Sequence, residues 1–374
     1  MAAPGHLHPP CGETGLTILL LSFRSSHPTT FRFVASLLLT AGALSATFGL
    51  SSLNDSKLAG GAAIAIVILG LSWLIGWSGQ VSLGNSGFMA VGGYVTAIWA
   101  NHHTATPIIF SLCLAMLCGA LSGLIIALPA TRLRGPYLAG MTLAFSFAVG
   151  PLALYFPSIT GGSGGLFLNF LNAPNWFLNL FSGPQALVQA NAQWSADLSI
   201  VVAAVAFFFM ANLFHSRTGR AMRLVRDNDV AAELAGVNLQ RTRTLAFVIS
   251  AAYAGLGGSL LTLLSGSVNS QMYSLQLSIL LLTLMVLGGV GTLGGAVIGG
   301  LIYSYSDNLV SLVNKLTGIN PTSSLGANLK GVFFGVLLIL TMLLAPKGLG
   351  GLGARIANMA NRLRPASMRA PTRE

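Results

Sequence analysis

The side chains able to do chemistry are few, and their densest group is neutral. Gln80, Ser82, Asn85 and Ser86 fall close together in the run Gly76-Trp-Ser-Gly-Gln-Val-Ser-Leu-Gly-Asn-Ser-Gly-Phe88. With no charge among them they can offer hydrogen bonds to a polar solute or to a neighbouring helix. Irregular polar backbone at membrane depth is tolerated only where protein buries it or a water-filled cavity meets it. Two readings fit: a short broken helix lining a solute pathway, or polar groups that satisfy one another between helices. The pathway reading is carried forward.

Acidic groups are scarce, at 8 Asp and Glu in all. Asp307 stands inside an apolar run and Asp197 at the edge of another. Intramembrane carboxylates usually mark function, but one near a helix end reads more simply as a cap or interfacial group. Ion coupling therefore has a thin basis, and the energy source is expected to lie outside this chain. No Gly-Lys pair occurs, and a phosphate-binding P-loop requires one. Gly289-Val-Gly291-Thr-Leu-Gly294 fits Gly-x-Gly-x-x-Gly literally. It joins two apolar runs rather than a strand and a helix, so close packing is the better reading. Gly291, Gly295 and Gly299, spaced four apart, would put small residues on one helix face for that purpose. His102-His103 has no acidic neighbours, and His6, His8 and Cys11 would bind a metal only adventitiously. No catalytic pair can be assembled, so the chain is expected to be neither an enzyme nor a metal or cofactor binder.

A second distinctive segment is Ser216-Arg-Thr-Gly-Arg-Ala-Met-Arg-Leu-Val-Arg-Asp-Asn-Asp-Val-Ala-Ala-Glu-Leu-Ala-Gly-Val-Asn238. Arg220, Arg223 and Arg226 recur every three residues, on one side of a helix. Asp229 is placed to cap a second short helix, Val230 to Ala235, which Gly236 would end. Such a segment is either a solvated basic loop or a docking element. Ala231, Ala232, Leu234 and Ala235 gain little in water and suit a partner's groove.

The composition says what must hold these residues. The chain has 374 residues, 53% hydrophobic and 7% charged, with mean hydropathy +0.75. A soluble domain carries about 25% charged residues, so an integral membrane protein is indicated and disorder is excluded. The net charge of +11 would suggest nucleic acid in a soluble protein. Here the basic residues sit between and after apolar runs, so topology explains them and no nucleic-acid partner is expected. Cys113 and Cys118 lie inside an apolar run, where buried free thiols are the simple reading.

A spanning helix needs about 20 apolar residues. Ten segments qualify: 33–53, 58–76, 81–100, 107–129, 136–157, 197–215, 244–265, 275–291, 293–311 and 329–345. The expected fold is thus an all-α integral membrane protein of about ten helices, some short or broken. Residues 1–32 read as a cytoplasmic tail, 33–345 as one transmembrane domain and 346–374 as a basic cytoplasmic tail. Lys and Arg concentrate on one side, including the loop 216–243, while Pro157 to Ala196 contains none. The positive-inside rule then predicts both termini inside. Gly76 to Tyr94 and Gly288 to Tyr303 are alike in glycine content, one in each half of the chain. Such pairs accompany internal repeats in transporters, and an internal repeat is an open possibility here.

Several of these motifs are familiar together. Gly79-Gln80-Val-Ser82-Leu-Gly84, then Gly-Phe-Met-Ala-Val-Gly92-Gly93-Tyr94, resembles the first signature of branched-chain amino-acid ABC transporter permeases. Arg132-Leu-Arg134-Gly135-Pro-Tyr137, with Thr142-Leu143-Ala-Phe145, resembles their next. Thr160-Gly161-Gly162-Ser-Gly-Gly165-Leu166 is similar to the outer loop of the LivM-like subunit. Gly219-Arg220-Ala-Met-Arg223 with Asp229-Val-Ala231-Ala232-Glu233-x-x-Gly236 resembles the cytoplasmic coupling loop. The matches run from about residue 58 to residue 348, and residues 1–32 match nothing in the pattern.

The resemblance implies a permease subunit of an ATP-driven importer in the bacterial inner membrane. It implies a LivH-like second permease subunit, two ATP-binding subunits that meet the coupling loop, and an extracytoplasmic solute-binding protein. Leucine, isoleucine and valine are the implied solutes, with ATP bound by the partners and no cofactor on this chain. The alternative is a permease or ATP-independent channel for urea or another small neutral solute. A channel accounts for the uncharged spans but gives no reason for the Ala-Ala-Glu-x-x-Gly loop.

Overall fold

A computed structural model describes residues 52–103, 107–130, 136–168, 186–317, 324–344 and 348. The predicted tail 1–32, nearly all of the first predicted span, Arg132, Arg134 and nearly all of the C-terminal tail lie outside the described residues.

The described chain is helical almost throughout. Helix α1 (Ser52–Leu71) passes directly into a π-helical turn, Ser72–Trp77. There follow α2 (Asn85–His102), α3 (Ile108–Ala130), α4 (Pro136–Tyr155) and the single turn α5 (Pro157–Thr160). After these come α6 (Ala186–His215), α7 (Arg217–Asp227), α8 (Asp229–Leu234) and α9 (Leu239–Ser265). The last three are α10 (Leu275–Gly288), α11 (Leu293–Thr317) and α12 (Ser324–Leu344). The expectation of an all-α chain needs one addition. Strand β1 (Leu166–Phe167) pairs antiparallel with β2 (Ser267–Val268), with Leu166 opposite Val268. This short ladder ties two loops together at the end of the molecule where α2 and α9 finish.

Among the described residues five helices are long and apolar enough to cross a membrane: Asn54–Trp77, Ile108–Pro129, Tyr137–Tyr155, Gln193–His215 and Leu239–Ser265. Leu275–Gly288 and Gly331–Leu343 are apolar but shorter. Two predicted segments are trimmed for visible reasons. The segment 81–100 becomes a helix only from Asn85, because residues 79–84 form an irregular stretch between the π turn and α2. The segment 275–291 stops at Gly288, since Gly289 and Gly291 take positive φ of 119° and 75°.

α1 and α9 form the middle of the molecule, with their apolar windows 78% and 72% buried, against 28%, 22% and 33% for α3, α4 and α6. Ile64, Ile66, Ile68 and Leu69 of α1 are all fully buried, so this helix is enclosed on every side. α2 lies against α9 at near-backbone distance: a Cβ on Gly92 would strike the Gly255 carbonyl, and one on Gly258 the Met89 carbonyl. The Tyr253 hydroxyl donates to the Ala206 carbonyl at 3.0 Å and fastens α6 to the same centre. The outer helices turn large apolar side chains outward, among them Ile125, Phe147 and Phe209, each more than half exposed. An apolar exterior of this extent suits hydrocarbon, not water. The protein is a multi-pass membrane protein.

Candidate transport pathway and coupling loop

The π turn ends α1 with Gly79 in the left-handed region, φ +71°, and the chain then doubles back into the protein. Gln80, Ser82, Asn85 and Ser86 are all buried, at 6%, 1%, 2% and 0% exposure. The structure separates them into two places. The Gln80 amide donates to Ser78 Oγ (2.6 Å) and to the Arg243 carbonyl (3.2 Å) in the first turns of α9. Ser82, Asn85 and Ser86 lie further along, where α2 begins.

A helix start leaves backbone N–H groups without intrahelical partners, and α2 has glycine at its N-cap with no side-chain cap of its own. Hydroxyls from α4, from α10 and from the preceding Ser82 supply the partners. Thr142 Oγ1 of α4 accepts from Leu83 N at 3.0 Å, and Ser82 Oγ accepts from Gly84 N at 3.3 Å. Ser278 Oγ of α10 accepts from Ser86 N at 2.9 Å and donates to Ser86 Oγ at 2.8 Å. Ser86 Oγ also meets Ser146 Oγ of α4 at 2.5 Å. The result is a neutral, buried hydroxyl cluster joining α2, α4 and α10. In this conformation the polar groups meet protein partners, so the cluster is closed. Thr142, Ser146 and Ser278 are additions to the residues read from sequence. Their signal was only that of scattered hydroxyls in two apolar runs, Thr142 and Ser146 in one and Ser278 in the other.

The second segment folds as a helix pair. Ser216 Oγ caps α7 by accepting from Gly219 N (3.3 Å), and Met222 and Val225 are buried beneath it. The three arginines do not stand free. Arg220 donates to the His215 carbonyl, Arg223 lies 4.4 Å from the centre of the Trp77 ring, and Arg226 donates to the Gly76 carbonyl. The cap of α8 differs from expectation by one residue. Asn228 Oδ1 accepts from Ala231 N at 3.1 Å, while Asp229 is the first helical residue and pairs with Arg243 at 2.7 and 2.8 Å. Asp229 turns to Arg243, whose Nη2 donates to both carboxylate oxygens, a charge-assisted contact stronger than a neutral cap bond. Gly236, φ +79°, ends the helix as expected.

Exposure on α8 also revises its docking face. Ala232 is fully buried against the body, whereas Val230 and Leu234 are 65% and 85% exposed, with Ala231 and Glu233 exposed beside them. The expected glycine face is likewise revised. Gly295 and Gly299 are on α11, packed against the carbonyls of Gly288 and Leu284, but Gly291 belongs to the turn before it and touches Gly76. The two glycine-rich stretches therefore meet at one end of the molecule. Near the opposite end, Asp55 is 1% exposed and its Oδ1 has no hydrogen-bond partner. The sequence reading missed it because α1 starts six residues before the predicted span. Among the described residues no group of three or more His, Cys, Asp or Glu could hold a metal.

Comparison with known proteins places this geometry. The chain is 28% identical over 298 residues to the high-affinity branched-chain amino acid transport system permease protein LivM of Escherichia coli K12, covering 76% of this chain and 67% of that protein. It is 24% identical to the probable LivM permease protein of Methanocaldococcus jannaschii, covering 76% and 89%. To the LivH permease protein of Salmonella typhimurium it is 34% identical over 180 residues, 46% of this chain and 54% of that one. No solved structure matches the chain. The family described as branched-chain amino acid transport system, permease component, matches residues 57–342, from α1 to α12 and through both the hydroxyl cluster and the helix pair, and this chain belongs to it.

Proposed function

We propose that the chain is the LivM-like permease subunit of an ATP-driven importer in the bacterial inner membrane, carrying leucine, isoleucine and valine inward. A LivH-like permease would pair with it, two ATP-binding subunits would meet α7 and α8, and an extracytoplasmic solute-binding protein would deliver the amino acid. The carrying observation is α8: a short helix that presents Leu234 and Val230 to solvent while Asp229 pairs with Arg243 behind it and Arg223 and Arg226 hold the preceding α7 against the body. Exposed apolar side chains on so firmly held a loop fit a partner's groove. With no P-loop on the chain, that partner supplies the ATP hydrolysis.

Both termini are taken to be inside, which puts the arginine-rich helix pair in the cytoplasm. Ser278 then lies about 15 Å along α10 from the inner turn at Gly288, near the middle of a hydrocarbon layer about 30 Å thick. Ser82, Asn85 and Ser86 would meet the solute there when the hydroxyl cluster opens, and Gln80 would sit on the inner side of it. The test is uptake of radiolabelled leucine in cells with and without this chain, competed by valine, alanine and urea. Loss of leucine uptake that valine competes is the expected result. Unchanged leucine uptake with loss of urea uptake would overturn the solute.

A further inference from the structure

We propose that Trp77 is a positioning residue that transmits the position of α7 to the non-helical segment 79–84 and so to the start of α2. This rests on reading α7 and α8 as the ATPase-facing loop. The π turn brings Trp77 to a junction of three elements. Its ring stacks on Phe214 at the end of α6 (4.2 Å, 8° between planes), with Trp73 behind it at 6.1 Å from Trp77. The Arg223 guanidinium of α7 covers the ring at 4.4 Å, and Trp77 Nε1 donates to the Gly291 carbonyl, 3.0 Å away, in the turn between α10 and α11. Beside it, Arg226 holds the Gly76 carbonyl, and a Cβ on Gly79 would already be 3.2 Å from the Arg226 side chain.

Beyond Trp77 the chain has little slack. Gln80 is anchored on Arg243, Leu83 on Thr142 and Ser86 on Ser278, so every few residues carry a bond to a different helix. A displacement of α7 must therefore either break its contacts with Trp77 or pull 79–84 and loosen the cluster at Ser86. Arg243 closes a second link, because the same residue pairs with Asp229 of α8 and accepts from Gln80 through its carbonyl. None of Trp77, Arg226 or Arg243 touches the cluster directly, which is what makes their role one of position.

The test uses the full chain in membranes with its co-purifying subunits. Cys11, Cys113 and Cys118 are replaced by Ala, and Ser82→Cys reports the segment through its rate of reaction with N-ethylmaleimide. In the parent, labelling is slow and changes when a non-hydrolysable ATP analogue is added. Trp77→Leu is expected to raise the nucleotide-free rate about tenfold, as loss of one cation–π contact and one hydrogen bond allows, and to abolish the nucleotide response. Trp77→Phe keeps the stack but loses the N–H, and falls between. A second reporter, Ser259→Cys between α2 and α9, stays protected in every variant that has kept its fold; should it react in Trp77→Leu, Trp77→Phe decides. Labelling indistinguishable from the parent in both Trp77 variants, with and without nucleotide, overturns the proposal. Leu234→Asp judges the loop reading separately: if ATP-binding subunits still co-purify with it, that reading fails, while the nucleotide-free rates still judge Trp77.

Discussion

Ser278 is the clearest case of a residue whose importance no local pattern carries. It is one serine in a leucine-rich helix, and its partner Ser86 lies 192 positions away. In the fold its hydroxyl serves both the backbone N–H and the side chain of Ser86, deep in protein that offers no water to replace it. Ser278→Ala leaves that N–H without a partner, which costs about 1–3 kcal/mol. A thermal unfolding midpoint several degrees lower in detergent is expected, whereas Ser311→Ala, exposed on α11, leaves it within error. Equal midpoints for the two variants would show that the cluster does not hold the start of α2. Gln80, Ser82, Asn85 and Ser86 were visible from sequence because they are neighbours in the chain. Thr142 stood in a recognised motif, but its convergence with Ser146 and Ser278 was not visible, because apolar helices carry hydroxyls for many reasons and only the packing says which of them meet.

At the scale of elements, legibility follows how local the signal is. The helix pair α7–α8 was readable from the three-residue spacing of its arginines and from Gly236, signals that act within a few residues, whereas the caps at Ser216 and Asn228 emerge only in the structure. The one-residue error at Asp229 came from a long-range partner, Arg243, that the local pattern could not contain. Gly236 has open space where a Cβ would go, so its requirement is conformational alone. Gly236→Ala should cost about 1–2 kcal/mol, and Gly236→Asn less, since Asn tolerates the left-handed region. If α8 is the coupling element, leucine uptake falls in the order parent, Gly236→Asn, Gly236→Ala, with the amount of protein in the membrane unchanged. Glu233→Ala should lower uptake per ATP hydrolysed in the same way. Normal uptake in both Gly236→Ala and Glu233→Ala would remove α8 from coupling.

For the whole molecule, apolarity did not reveal which helices are central. α3 is the most apolar of the five long spans and yet only 28% buried, while α9 is less apolar and 72% buried. In lipid an outward face must also be apolar, so hydropathy separates membrane from water but not centre from rim. Small residues do separate them: α9 carries Gly255, Gly257 and Gly258, each in contact with another helix's backbone or side chains.

The same consideration leaves orientation to charge, and charge makes a direct prediction. Arg217, Arg220, Arg223, Arg226, Arg241 and Arg243 all lie at the end that carries Leu234, and the stretch 157–196, which contains Phe167, holds neither Lys nor Arg. Phe167 and Leu234 are 74% and 85% exposed, so a cysteine at either is reachable from its own side. In the cysteine-free background, Phe167→Cys should react with a membrane-impermeant maleimide in intact cells. Leu234→Cys should react only after the membrane is opened. The opposite pattern would place the arginine-rich helix pair outside, where no ATP-binding subunit can reach it, and would overturn orientation and coupling together. Labelling at both sites in intact cells would instead mean that the chain does not hold a single orientation. The expected pattern puts the ladder of β1 and β2 on the side from which a binding protein would deliver the solute, and Trp77 on the side where ATP is hydrolysed.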